Sequence, residues 1–93
     1  EMQDVFFANI GEEAKIYAFT MAEKARYDGL SAQSDLMNRS LNAQMKYANK
    51  IRAKYTVVLG DSEMESKKAV AKNMETGEKK DIDLEKSIKE QLF

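Results

Sequence analysis

The chain holds no histidine and no cysteine in 93 residues. The commonest general base, the usual nitrogen and thiolate metal ligands, disulfides and thiol catalysis are therefore excluded together. Carboxylates remain, but acids two apart such as Glu63 and Glu65 are commonplace on a turn, so neither a catalytic set nor a metal site is expected. The more informative spacing belongs to the cations. Arg39, Lys46, Lys50, Arg52 and Lys54 fall in residues 39–60, which contain no acid, whereas residues 1–38 sum to −4 and 61–93 to −2. A +5 window in a chain of net charge −1 is a local positive field that suits phosphate or nucleic acid at modest affinity. A solvated basic helix face is the competing reading.

Those cations need a scaffold. Ninety-three residues with 43% hydrophobic and 33% charged side chains make one soluble domain with room for two layers. No run approaches 18 uncharged apolar residues, and no basic segment precedes an apolar one at the start, so neither a membrane span nor a secretory signal is expected. Val5–Ile10 is almost continuously apolar, as an interior strand covered on both faces should be. After Gly11, two acids open an amphipathic helix on Ala14, Tyr17, Ala18, Met21, Ala22 and Ala25, which ends near Asp28-Gly29. Residues 30–37 read as a polar edge strand. Ser40 caps a helix to about Arg52, with Leu41, Met45, Ala48 and Ile51 inward and Asn42, Lys46, Asn49 and Lys50 outward. Tyr55–Leu59 and Ala69–Lys72 are strands. A loop with Gly77 at positive φ, a short strand at 81–83 and a helix from Leu84 to Leu92 complete the chain. Tyr17, Tyr27, Tyr47 and Tyr55 are expected in the core or at its rim. The order is β-α-β-α-β-β-β-α: an α/β fold with a mixed five-stranded sheet and three helices, with parallel pairing early and antiparallel pairing late.

Four motifs in that order carry a resemblance. Asn38-Arg39-Ser40-Leu41-Asn42-Ala43-Gln44-Met45-Lys46-Tyr47-Ala48, Leu59-Gly60-Asp61-Ser62-Glu63, Lys72-Asn73-Met74-Glu75-Thr76-Gly77-Glu78 and Ile10-Gly11-Glu12-Glu13-Ala14 stand in register. Together they resemble the C-terminal anticodon-binding domain of histidyl-tRNA synthetases, a class II family that shares this domain with the threonyl, prolyl and glycyl enzymes. The resemblance covers nearly all of residues 1–93 as one domain, as if excised from the C-terminus of a larger synthetase. It implies a domain that grips the anticodon stem-loop of tRNA and needs no cofactor. A separate catalytic domain, absent here, would perform aminoacylation with ATP and Mg in a cytoplasmic homodimer with no membrane partner. Glycine is usual at three positions of the family pattern that Asn38, Arg52 and Lys67 occupy here, and Asn9 replaces a proline. The alternatives are the same domain of a threonyl, prolyl or glycyl synthetase, or a synthetase-like protein-interaction domain. The last would show an exposed apolar patch and no convergence of Arg39, Glu63 and Lys72.

Recognition of single-stranded loops needs side chains that donate and accept in fixed geometry. Asn9 and Asn38, at the ends of the first and second strands, suit this; turn capping is the competing reading. Arg39 can pair bidentately with phosphate or a guanine edge, or form a surface ion pair. By resemblance to the threonyl domain, Glu63 and Lys72 fall on base-reading positions, unless they pair with each other across two antiparallel strands. Lys46 and Asn49 would serve the stem backbone. All of Asn9, Asn38, Arg39, Glu63 and Lys72 are expected on one edge of the sheet, where the parallel strands end.

Overall fold

The computed structural model describes residues 2–93. The elements are β1 (Gln3–Asn9), α1 (Glu12–Tyr27), β2 (Ala32–Ser34), α2 (Leu41–Lys50), β3 (Ala53–Leu59), α3 (Asp61–Ser66), β4 (Lys68–Asn73), β5 (Lys79–Asp83) and α4 (Ile88–Leu92). They build one five-stranded mixed sheet in the order β2-β1-β3-β4-β5. β1 pairs in parallel with β2 and β3, while β3–β4 and β4–β5 are antiparallel. The two apolar strands are therefore interior, as their composition requires.

Alternation along β1 divides the core between the two faces of the sheet. Val5 and Phe7 join Ala18, Met21, Ala22 and Ala25 of α1, together with Leu84, Ile88 and Leu92 near the C-terminus. Phe6 and Ala8 point the other way and meet Ala48 of α2. All four β1 side chains are fully buried, and each phenylalanine contributes roughly 1.5–3 kcal/mol by leaving water. α1 and α2 thus leave the same end of the sheet on opposite faces.

The structure corrects several expectations. There are four helices, not three: residues 61–66, between the two strands expected at 55–59 and 69–72, form α3, whose six residues are too few to display a helical period. Lys67 ends it in the left-handed region at φ 60°. The last helix begins at Ile88 and not at Leu84, because the Asp83 carboxylate accepts from the Glu85 N–H and holds 83–86 in a turn before Ser87 caps the helix. β2 has only three residues, so Asn38 lies in the loop beyond it and not at a strand end. Tyr27 is almost wholly exposed at the end of α1. The deepest side chains of α2 are Ala48 and the polar Gln44, and Leu41 is exposed.

All three non-glycine residues with positive φ among the described residues are Asn38 (55°), Arg52 (57°) and Lys67 (60°). The resemblance leads one to expect glycine at these same three positions. Here the left-handed conformation is imposed on side chains that pay a steric cost for it.

Candidate nucleic-acid interface

Where α1 and α2 depart on opposite faces, the C-terminal ends of β1 and β2 leave a crevice, the place where ligands settle in open α/β sheets. A cleft of about 520 Å³ lies there, lined by the two strand-to-helix junctions: Asn9 to Glu12 on one side and Asn38 to Leu41 on the other.

Gln44 fastens the two junctions. Its Oε1 accepts from the Asn9 N–H at 2.9 Å, and its Nε2 donates to the carbonyls of Asn9 (2.9 Å) and Arg39 (2.8 Å). Asn9 is itself buried, with its Nδ2 donating to the Asp35 carbonyl at 2.9 Å. Asn9 thus ties β1 to the loop after β2, and only its Oδ1 lacks a protein partner among the described residues. Asn38 is exposed at the tip of that loop, and an asparagine tolerates its backbone conformation better than most side chains. Arg39 donates from its backbone N–H and from Nε to the two carboxylate oxygens of Asp35, at 3.1 and 2.7 Å. Its guanidinium carbon lies 4.4 Å from the centre of the Tyr47 ring. Its two Nη groups have no protein partner among the described residues.

The other expected residues spread more widely. Glu63 sits in α3, just beyond the end of β3, on the edge where β1 and β3 finish; its Oε1 accepts from the Gly60 N–H at 2.9 Å. It does not line the cleft, and α3 packs against α1, on the face opposite to α2. Lys72 is exposed on β4, opposite Thr56 and Lys79, three residues along the sheet from the Leu59 end of β3. It faces away from the α1 side, since Ala69 and Ala71 of the same strand are buried there. No ion pair joins Glu63 to Lys72 among the described residues. Lys46 and Asn49 are exposed on α2. Asn49 borders a second hollow with Met2, Arg52, Lys54 and Met74 at the far end of the helix. The cleft therefore gathers Asn9, Asn38 and Arg39, with Glu63 near it and Lys72, Lys46 and Asn49 apart.

Sequence reasoning missed Asp35, Gln44 and Tyr47, which hold the site together. It also missed an apolar rim: Ile10 and Leu41 in the cleft, with Leu36 and Met37 just before Asn38, are all exposed. Among the described residues no group of three acids could hold a metal ion, and no helix is long and apolar enough to cross a membrane.

A family profile described as an anticodon binding domain matches residues 4–91. The chain belongs to that family. Within it, the chain is 54% identical over 92 residues to the histidine–tRNA ligase of Caldanaerobacter subterraneus subsp. tengcongensis, covering 96% of this chain and 22% of the relative. It is 58% identical over 85 residues to the corresponding ligase of Acetivibrio thermocellus, covering 91% and 20%. Among solved structures, apo histidyl-tRNA synthetase of S. aureus superposes with a TM-score of 0.86 at 38% identity, covering 89% of this chain and 21% of that one. The anticodon-binding domain described here thus spans about a fifth of the length of the relatives it matches.

Proposed function

We infer that the chain is the tRNA-reading domain of a histidine–tRNA ligase, and that it binds the anticodon stem-loop at the cleft between the two strand-to-helix junctions. The observation that carries this reading is Arg39: a guanidinium fixed at Nε, with both Nη groups free at the mouth of a cleft formed at the sheet's switch point. Such a fork donates to two neighbouring oxygens of a phosphate, or to O6 and N7 of guanine. Around it, Asn9 Oδ1 and the Asn38 amide offer further polar contacts to base edges. Glu63 is already tied at Oε1, so its second oxygen is the acceptor for a base amine. Lys72, Lys46 and Asn49 lie outside the cleft and would follow the RNA backbone as it leaves. The catalytic domain of the full-length ligase, a homodimer in the cytoplasm, would supply the ATP- and Mg-dependent chemistry; this domain contributes only grip and discrimination.

Salt-dependent binding of histidine tRNA stem-loops tests the assignment. Arg39→Ala should weaken binding to every stem-loop and make the salt dependence shallower, because a cation near phosphate is lost. Glu63→Ala should leave non-specific affinity unchanged or higher while narrowing discrimination against altered anticodons by about 1–3 kcal/mol. Equal, small effects of both substitutions on all RNAs would remove both residues from the site.

A second reading, a synthetase-like protein-interaction domain, is favoured by the exposed Ile10, Leu36, Met37 and Leu41 beside the cleft and by the separation of Lys72 from Arg39. Absence of RNA binding at low salt would move this reading ahead.

A further inference from the structure

Asp35 has none of its surface exposed. It stands one residue beyond β2, in a loop where nothing in the core requires a charge. Burying an ion is costly, and a buried ion pair is on average no more stabilising than apolar residues of the same volume. Both Asp35 oxygens nevertheless go to one residue, one to the Arg39 backbone N–H and the other to its Nε. The Tyr47 ring covers the face of the same guanidinium. Tyr47 in turn is held by its hydroxyl, which donates to Gln33 Oε1 at 3.1 Å, and by contact with the Phe6 ring. The Arg39 side chain keeps 32% of its surface exposed, so it is restrained at Nε and across one face while its Nη edge stays open. Bracing the backbone alone would need one carboxylate oxygen; the second oxygen and the ring act on the side chain.

We propose that Asp35 and Tyr47 are positioning residues that hold the Arg39 guanidinium as a preorganised fork for two adjacent acceptor atoms of RNA. The nature of the ligand rests on the function proposed above; the restraint on Arg39 does not. A flexible arginine loses rotamer freedom when it binds, and one already held loses less, so the gain appears as affinity for ligands that present two acceptors in the right geometry.

Asp35→Asn keeps the shape and an acceptor but removes the charge that grips Nε–H. Arg39→Lys keeps the cation but has no Nε–H to be gripped. In the unmodified chain, nitrogen-detected NMR should show a sharp, slowly exchanging Arg39 Nε–H signal. In Asp35→Asn that signal should broaden or merge with those of free arginines while the backbone amide spectrum stays dispersed. In binding to a histidine tRNA anticodon stem-loop, each substitution should lower affinity about tenfold, the low end of what a good bidentate contact contributes. The salt dependence should hold, because no cation has been lost. The double variant should bind no more weakly than Arg39→Lys alone. Loop guanines replaced by 7-deazaguanine separate the two acceptor pairs: loss of the Arg39 effect identifies a guanine edge, and its retention a phosphate. A freely averaging Arg39 Nε–H in the unmodified chain, or wild-type RNA affinity in Arg39→Lys, overturns the proposal. The lysine variant leaves Asp35 and the loop intact, so this holds even if Asp35→Asn fails to fold. If the unmodified chain binds no stem-loop at all, the proposed function falls and the NMR signal alone decides whether Arg39 is held.

Discussion

Replacing Gln44 with leucine should be among the most damaging single changes in the domain, although the substitution is nearly isosteric and more apolar. Gln44 is almost fully buried, and its amide makes three hydrogen bonds to backbone groups: the N–H and C=O of Asn9 and the C=O of Arg39. Leucine supplies none of them. Each buried backbone group left without a partner costs about 1–3 kcal/mol. The Arg39 carbonyl is at the rim of the cleft, where water can replace the amide, so the loss falls chiefly on the two Asn9 groups. The expected destabilisation is about 2–6 kcal/mol, less roughly 1 kcal/mol for the added apolar burial, or about 1–5 kcal/mol net. For a domain whose total stability is on the order of 5–15 kcal/mol, that is a large share. At about 4–8 °C per kcal/mol for a chain of this size, Tm should fall by on the order of 5–40 °C. Urea unfolding followed by circular dichroism measures the free energy, and thermal scans measure Tm. Gln44→Glu, at a pH where the carboxyl is neutral, keeps an acceptor for the Asn9 N–H and one O–H donor in place of the two donated bonds, so it should fall between leucine and wild type. A loss below 1 kcal/mol for Gln44→Leu would refute the reasoning, because it would mean that the three bonds do not fasten the two junctions.

Arg52→Gly should leave stability unchanged or raise it by up to about 1 kcal/mol, since relief of the left-handed strain at φ 57° slightly outweighs the extra unfolded-state freedom of glycine. Asn38→Val should lower it by about 1–2 kcal/mol, because a β-branched side chain fits φ 55° poorly; urea midpoints measure both. The Asp83 carboxyl lies below its usual range, held there first by the Glu85 N–H and then by the Lys68 ammonium at 3.1 Å. A folded value below the unfolded one means that its contribution is present above about pH 4 and lost as the pH falls through the folded value. Carbon-13 titration of the Asp83 carboxyl should show the depressed midpoint, and Asp83→Asn should flatten the acid limb of the stability curve.

The parts of the fold that were legible in the sequence are those with enough residues to establish a period. Val5–Ala8 and Val57–Leu59 announce buried strands by their apolar continuity, and the alanine stripe of α1 repeats over about three turns. β2, with three half-polar residues, and α3, with six, are shorter than any pattern that could define them. α4 was overextended because Leu84 lies in phase with Ile88 and Leu92, although a carboxylate-capped turn separates them. The site was half legible. Arg39 stands out as the first cation of an acid-free window, but nothing in the sequence marks Gln44 or Asp35: Gln44 is buried through Asn9, 35 residues away, and Asp35, only four residues before Arg39, pairs with it in a loop that has no sequence period. At Asn38 the competing reading holds at the backbone: an asparagine where glycine is expected marks a left-handed turn, and its φ is 55°.

The most direct test of the proposed RNA site at the cleft is an amide NMR titration of the chain with a histidine tRNA anticodon stem-loop in low-salt buffer. Shifts should concentrate on Asn9 to Glu12 and Leu36 to Leu41, extend weakly to Glu63, and leave the exposed face of α1 from Ile16 to Tyr27 unchanged. Saturating shifts confined to α1 or β5, with the two junctions silent, would contradict the account.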